Sequence, residues 1–74
     1  MEILKDEHYF YTLYRDEKTD EHFLEVVCGT VAIFEIKIKL NEKELAEYRA
    51  NPEDIRILAY KIMDSPSSYL ERRV

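Results

Sequence analysis

The one cysteine of the chain, Cys28, stands beside its one glycine, Gly29, in the stretch VVCGTVAIF, residues 26–34. A thiol becomes a nucleophile where a neighbouring imidazole lowers its pKa. If Thr12 pairs opposite Leu24 on adjacent strands, His8 falls across from Cys28. No motif supplies a third orienting group or an oxyanion hole, and free cysteine is commonly a small buried hydrophobe, so no catalytic residue is assigned. The stretch also lacks the flanking glycine and following helix of a GxSxG elbow. A single glycine excludes the P-loop and the dinucleotide fingerprint, which need several.

Metal chemistry fares no better. Cys28, His8 and His22 show no spacing of the structural zinc type. The acidic run of residues 16–21, DEKTDE, has Lys18 and Glu21 where an EF-hand loop needs an oxygen ligand and a glycine, and reads as a solvated hairpin loop. His22, among Asp20 and Glu21, reads as a surface histidine whose charge those carboxylates favour. No metal and no cofactor are expected.

The chain has 74 residues, 46% hydrophobic and 36% charged, a balance that suits one packed domain rather than a disordered segment. Its net charge of −5 disfavours phosphate backbones and anionic lipid, so neither nucleic acid nor membrane is an expected partner. Tyrosine-rich strands can stack bases, but here they are bordered by Glu7, Asp16 and Glu17 rather than by Lys and Arg. Residues 1–6, MEILKD, do not form a secretory signal, and the longest apolar run, residues 31–34, is too short to span a membrane. A cytoplasmic protein is expected. A core this small, without disulfide or zinc, points to self-association for support.

Residues 7–15, EHYFYTLYR, are rich in aromatic and β-branched types and read as a first strand. Residues 21–28 read as a second. Residues 31–40 alternate cleanly, with Ala32, Phe34, Ile36, Ile38 and Leu40 on one face, and Lys37 and Lys39 on the other suit an edge strand. Asn41 and Glu44 form a capping-box pattern ahead of a helix over 42–50, with Leu40 placed to staple against Leu45. Asn51-Pro52 starts a second helix over 52–63, carrying Ile55, Leu58, Ala59 and Ile62 as one stripe. Ser65-Pro66 starts a third over 66–73, with Tyr69 and Leu70 inward. The fold class is α+β: a three-stranded antiparallel β-meander followed by short helices packed on one face, a two-layer sandwich.

If loop lengths keep parity, even-numbered residues share the core face, among them Phe10, Thr12, Leu24, Val26 and Cys28. Tyr9, Tyr11, Leu13, Phe23, Val27, Val31 and Ile33 then share the other, a broad apolar patch rimmed by charge. Gly29 sets this parity. A two-residue turn with Thr30 would reverse it, whereas an odd loop or a bulge would preserve it. The reading is a protein-interaction module, a homodimer formed through that odd-numbered face. Two alternatives stand beside it: an immunity- or antitoxin-type protein that binds a basic effector, and a small-molecule binder with a site at a dimer interface around His8, Tyr9 and Tyr11.

Overall fold

A computed structural model describes residues 1–29 and 33–74. Four strands, β1 (Glu2–Glu7), β2 (Tyr11–Arg15), β3 (His22–Cys28) and β4 (Phe34–Lys39), form an antiparallel sheet in the order β1-β2-β3-β4. They are followed by α1 (Glu42–Ala50), α2 (Asp54–Asp64) and a 3₁₀ helix, Pro66–Arg72. The chain is α+β, with four strands where the sequence reading has three. Among the described residues, no helix is long and apolar enough to cross a membrane.

The extra strand comes from a break in residues 7–15. Tyr9 adopts a left-handed φ of 59°, and the Phe10 amide donates to the Glu7 carbonyl at 2.9 Å. The chain reverses there, bringing Glu7 opposite Tyr11. β1 escapes periodicity because Glu2, Lys5, Asp6 and Glu7 are types depleted from strands, and a bulge at Leu4 interrupts alternation. It forms because its charges find partners on β2: Arg15 Nε donates to Glu2 at 3.0 Å, and the Thr12 hydroxyl to Asp6 at 3.3 Å. Bulge and charge together also discourage this open edge from pairing with another chain.

Register between β2 and β3 decides the faces. Leu13 stands opposite Leu24, Tyr11 opposite Val26 and Thr12 opposite Glu25. The connection over residues 16–21 is therefore even in length. It is held by the Asp16 amide on the Glu21 carbonyl at 2.8 Å, by an Asx turn from Lys18 N–H to Asp16 at 2.9 Å, and by Asp20 at φ 62°, a conformation aspartate tolerates. The expected pairing of Thr12 with Leu24 does not occur. Between β3 and β4, Cys28 faces Phe34 and Leu24 faces Ile38, so even positions share a face across an odd connection. Gly29, at φ 99°, opens it in a region free of steric cost only for glycine. Thr30, Val31 and Ala32, on which the turn and the start of the third expected strand were placed, lie outside the described residues.

The core is built on two rows across three strands, Leu13–Leu24–Ile38 and Tyr11–Val26–Ile36, every member 3% exposed or less. Ile55, Ala59 and Ile62 of α2 join the same cluster. His22, read from the sequence as a surface residue, is instead 5% exposed. As an even position of β3 it shares the face of Leu24, and its Nδ1 lies 3.0 Å from the Asp20 carbonyl, with the Tyr48 ring 6.1 Å away.

Asn41 caps α1 as its spacing predicts: its side chain accepts from Glu44 N–H at 2.8 Å, and its own N–H donates back to Glu44 at 2.9 Å. α2 starts at Asp54 rather than at Pro52. Three i to i+3 bonds precede it, Asp54 to Asn51, Ile55 to Pro52 and Arg56 to Glu53, so the entry is a 3₁₀ turn. The last helix is 3₁₀ throughout, and at three residues per turn adjacent side chains diverge. Tyr69 packs on the core while Leu70, expected inward, is 42% exposed.

The carboxylate of Glu44 ties the helical half to the sheet. Besides the Asn41 amide, it accepts both arms of the Arg72 guanidinium, at 2.6 and 2.9 Å. Arg72 also donates to the Lys39 carbonyl at 3.0 Å, Val74 N–H donates to the Lys37 carbonyl at 2.9 Å, and Arg73 bridges to Ile38. The outer edge of β4 is thus occupied by the C-terminal residues. Burial pushes the Glu44 carboxyl up, but Arg72 and the Asn41 amide override it, and the group titrates below its ordinary 4.5. A depressed carboxyl stabilises the fold above its unfolded pKa, and that contribution fades as pH falls through the folded value. Arg72→Ala is expected to cost about 1–2 kcal/mol in urea unfolding at neutral pH, between the values for exposed and buried pairs. The gap from the wild type is expected to narrow below about pH 4.5. A gap that stays constant down to acid pH would show that the ion pair contributes nothing.

Candidate functional site

Of the seven residues expected to form one apolar face, the six that are described do not share a single face. Tyr11 and Leu13 are core residues, at 3% and 0% exposure, because the even connection between β2 and β3 turns their side of the strand toward α2. Tyr9 is 78% exposed in the β1–β2 turn, with its ring 4.0 Å from that of His8, and Ile33 is 75% exposed ahead of β4. Phe23 and Val27 lie on the outer face with Glu25 between them. Val31 lies outside the described residues. Phe10 and Thr12, expected in the core, change places with their neighbours: Thr12 joins the outer face opposite Glu25, and Phe10 packs at the core margin.

The outer face is largely closed by its own charges. Lys37 Nζ sits 5.0 Å from the Tyr14 ring centroid and 5.7 Å from that of Phe23, and the Tyr14 hydroxyl donates to Glu25 at 3.3 Å. Phe23 is left only 9% exposed. Burial and then the adjacent Glu25 push the Tyr14 phenol up, so it stays protonated and able to donate. Lys39 pairs with Glu21 along the same margin. Cation–π contacts of this exposed kind are worth about 0.5–1 kcal/mol each, enough to hold the lysine over the rings as a roof.

Cys28 is buried, and burial pushes its thiol up, the reverse of what an attacking thiolate needs. His8 lies in the β1–β2 turn against Tyr9. The alignment that would set it across from Cys28 rests on the pairing of Thr12 with Leu24, which the sheet does not adopt. Among the described residues, no three His, Cys, Asp or Glu side chains are grouped as a metal site.

Among the described residues a cleft between α1 and α2, lined by Lys43, Glu47, Asp54, Leu58, Lys61 and Tyr69, mixes charged and apolar groups, and two further concave surfaces stand beside it. One is a cleft between β1 and the start of α2, where Lys5, Glu7, Glu53 and Arg56 surround the edge of Tyr11. Burial first, then Glu7, raises the Tyr11 phenol, with Arg56 opposing. Its charges balance and Lys5 is paired with Glu7 at 3.5 Å, so the cleft offers a hydrogen-bond donor and no activated group.

The other is a strip along the outward side of α2. Ile57, Tyr60 and Met63 are 55%, 53% and 39% exposed, and with Lys61 and Asp64 they line a shallow apolar groove. The Phe10 ring extends it, 4.7 Å from that of Tyr60, and the Arg56 guanidinium lies 5.8 Å from the Phe10 centroid. Sequence reasoning took α2 as a single stripe of Ile55, Leu58, Ala59 and Ile62 and passed over this second one. The signal is present in the sequence, since a helix apolar around most of its circumference has more apolar surface than one core contact can bury.

Compared with protein-family models, curated proteins and solved structures, the chain matches none.

Leu13→Ala is expected to cost about 2–5 kcal/mol in urea unfolding, as for a core leucine, whereas Ile33→Lys is expected to stay within about 0.5 kcal/mol. Equal and small effects at both positions would return Leu13 to the surface.

Proposed function

We propose that the chain is a protein-interaction module that works by contact rather than by chemistry, with the outward strip of α2 as its contact surface. In this reading the helices gather on one face of the sheet as the second layer of a sandwich. The inner side of α2 is spent on the core, while its outer side remains free. The observation that carries the reading is the exposure of Ile57, Tyr60 and Met63 in one row of a well-anchored helix. Large apolar side chains that are contiguous, rather than scattered, mark contact surfaces. Tyr60 suits such a place, having a broad ring and a hydroxyl that tolerates water.

The chemistry of the remaining groups supports the same conclusion. The cysteine is buried and its thiol raised, and the Tyr11 cleft holds balanced charge around a protonated phenol. The outer face of the sheet, where self-association is expected from the sequence, has its rings roofed by Lys37 and is the weaker candidate.

A photo-reactive phenylalanine analogue incorporated at position 60, and separately at position 12 on the outer face, tests the surface in cells of the native host. Protein adducts are expected from position 60 and not from position 12. Adducts from position 12 alone, or from neither, would overturn the assignment.

A further inference from the structure

The arrangement of charge on α2 specifies what fits its strip. Arg56 stands four residues before Tyr60 and Asp64 four residues after, and Ile57 and Met63 flank Tyr60 three residues to either side. On a helix these positions fall within one broad face centred on Tyr60. A second α2 laid antiparallel across it, with the two Tyr60 rings at the two-fold axis, sets each Ile57 level with the other's Met63. It also sets each Arg56 level with the other's Asp64. The self-complementarity that an isologous contact needs is therefore already written into eleven residues.

A second observation points the same way. Arg56 lies in the first turn of α2 and Asp64 is its last residue. Each has the sign that its own helix end disfavours, because the amino end carries positive partial charge and the carboxyl end negative. In an antiparallel pair each charge lies beside the opposite end of the neighbouring helix, and both mismatches become attractions. Among the described residues Asp64 takes part in no ion pair.

We infer that the partner of the α2 strip is a second copy of this chain, docked as an antiparallel α2 pair around Tyr60. The inference rests on the assignment of the strip as a contact surface. An eleven-residue helix is about 16 Å long, so the paired strips with Phe10 alongside cover less than the ~800 Å² per partner of a standard interface. The dimer is accordingly a weak one, with a dissociation constant on the order of 100 μM.

Sedimentation equilibrium from about 10 μM to about 1 mM is expected to show the full chain passing from monomer to dimer. Arg56→Asp and Asp64→Arg, each of which sets like charges face to face twice, are each expected to weaken association about five- to tenfold. The double variant R56D/D64R is expected to return to within about threefold of the wild type, because the swapped charges meet again. Arg56 and Asp64 are both exposed, so the variants are expected to fold, which a circular dichroism spectrum matching that of the wild type checks. A wild type that stays monomeric at about 1 mM overturns the second copy as partner. Dimerisation that ignores the single changes, or that the double change does not restore, overturns the antiparallel register. A monomer that still gives adducts of another protein from position 60 retains the strip as a contact surface, and a monomer with none from that position loses both.

Discussion

Leu13, Leu24 and Ile38 stand in one row across β2, β3 and β4, and that row determines which side of every strand α2 can cover. Shifting β2 by one residue would put Thr12 in the interior and Leu13 in water. The loss is about 1.5–3 kcal/mol of apolar burial, together with the cost of a buried hydroxyl lacking an assured partner. The loop over residues 16–21 accommodates the favoured register through a compact set of backbone and Asx bonds. Arg15 and Arg49 both reach Asp20, so the residue in the left-handed region is also fixed by charge from β2 and from α1.

What could be read from the sequence was what depends on near neighbours. The capping box of Asn41 and Glu44 spans three residues, and the end of α1 follows from Asn51 preceding Pro52. The even-numbered face of β4 follows from unbroken alternation at residues 34–40. β1 was hidden because its stability comes from Arg15 and Thr12 on another strand, not from its own residue types. The side of β2 was hidden because both of its faces carry large side chains, and only a comparison across the loop, Leu13 against Thr12, separates them.

The candidate site divides in the same way. The assumed parity sets Tyr11 and Leu13 in a surface patch, whereas the register places them in the core and leaves Phe23 and Val27 on the outer face. Ile57, Tyr60 and Met63 were visible at regular spacing, yet a helix supplies several overlapping stripes, and periodicity alone does not say which one the sheet will take. The aromatic wealth of residues 9–14 proved divided among four settings: a turn, the core margin, the core itself, and a lysine-roofed outer face. Parity alone divides them between only two faces.

Cys28 closes the core at the end of β3, 2% exposed, its Sγ turned 3.6 Å from the Val26 carbonyl and its neighbour Gly29 already in solvent. A thiol so placed is invisible to alkylating reagents except while that end of the sheet is apart. The rate at which a small reagent consumes it therefore counts openings, and the protein carries a gauge of its own local stability that needs no added label.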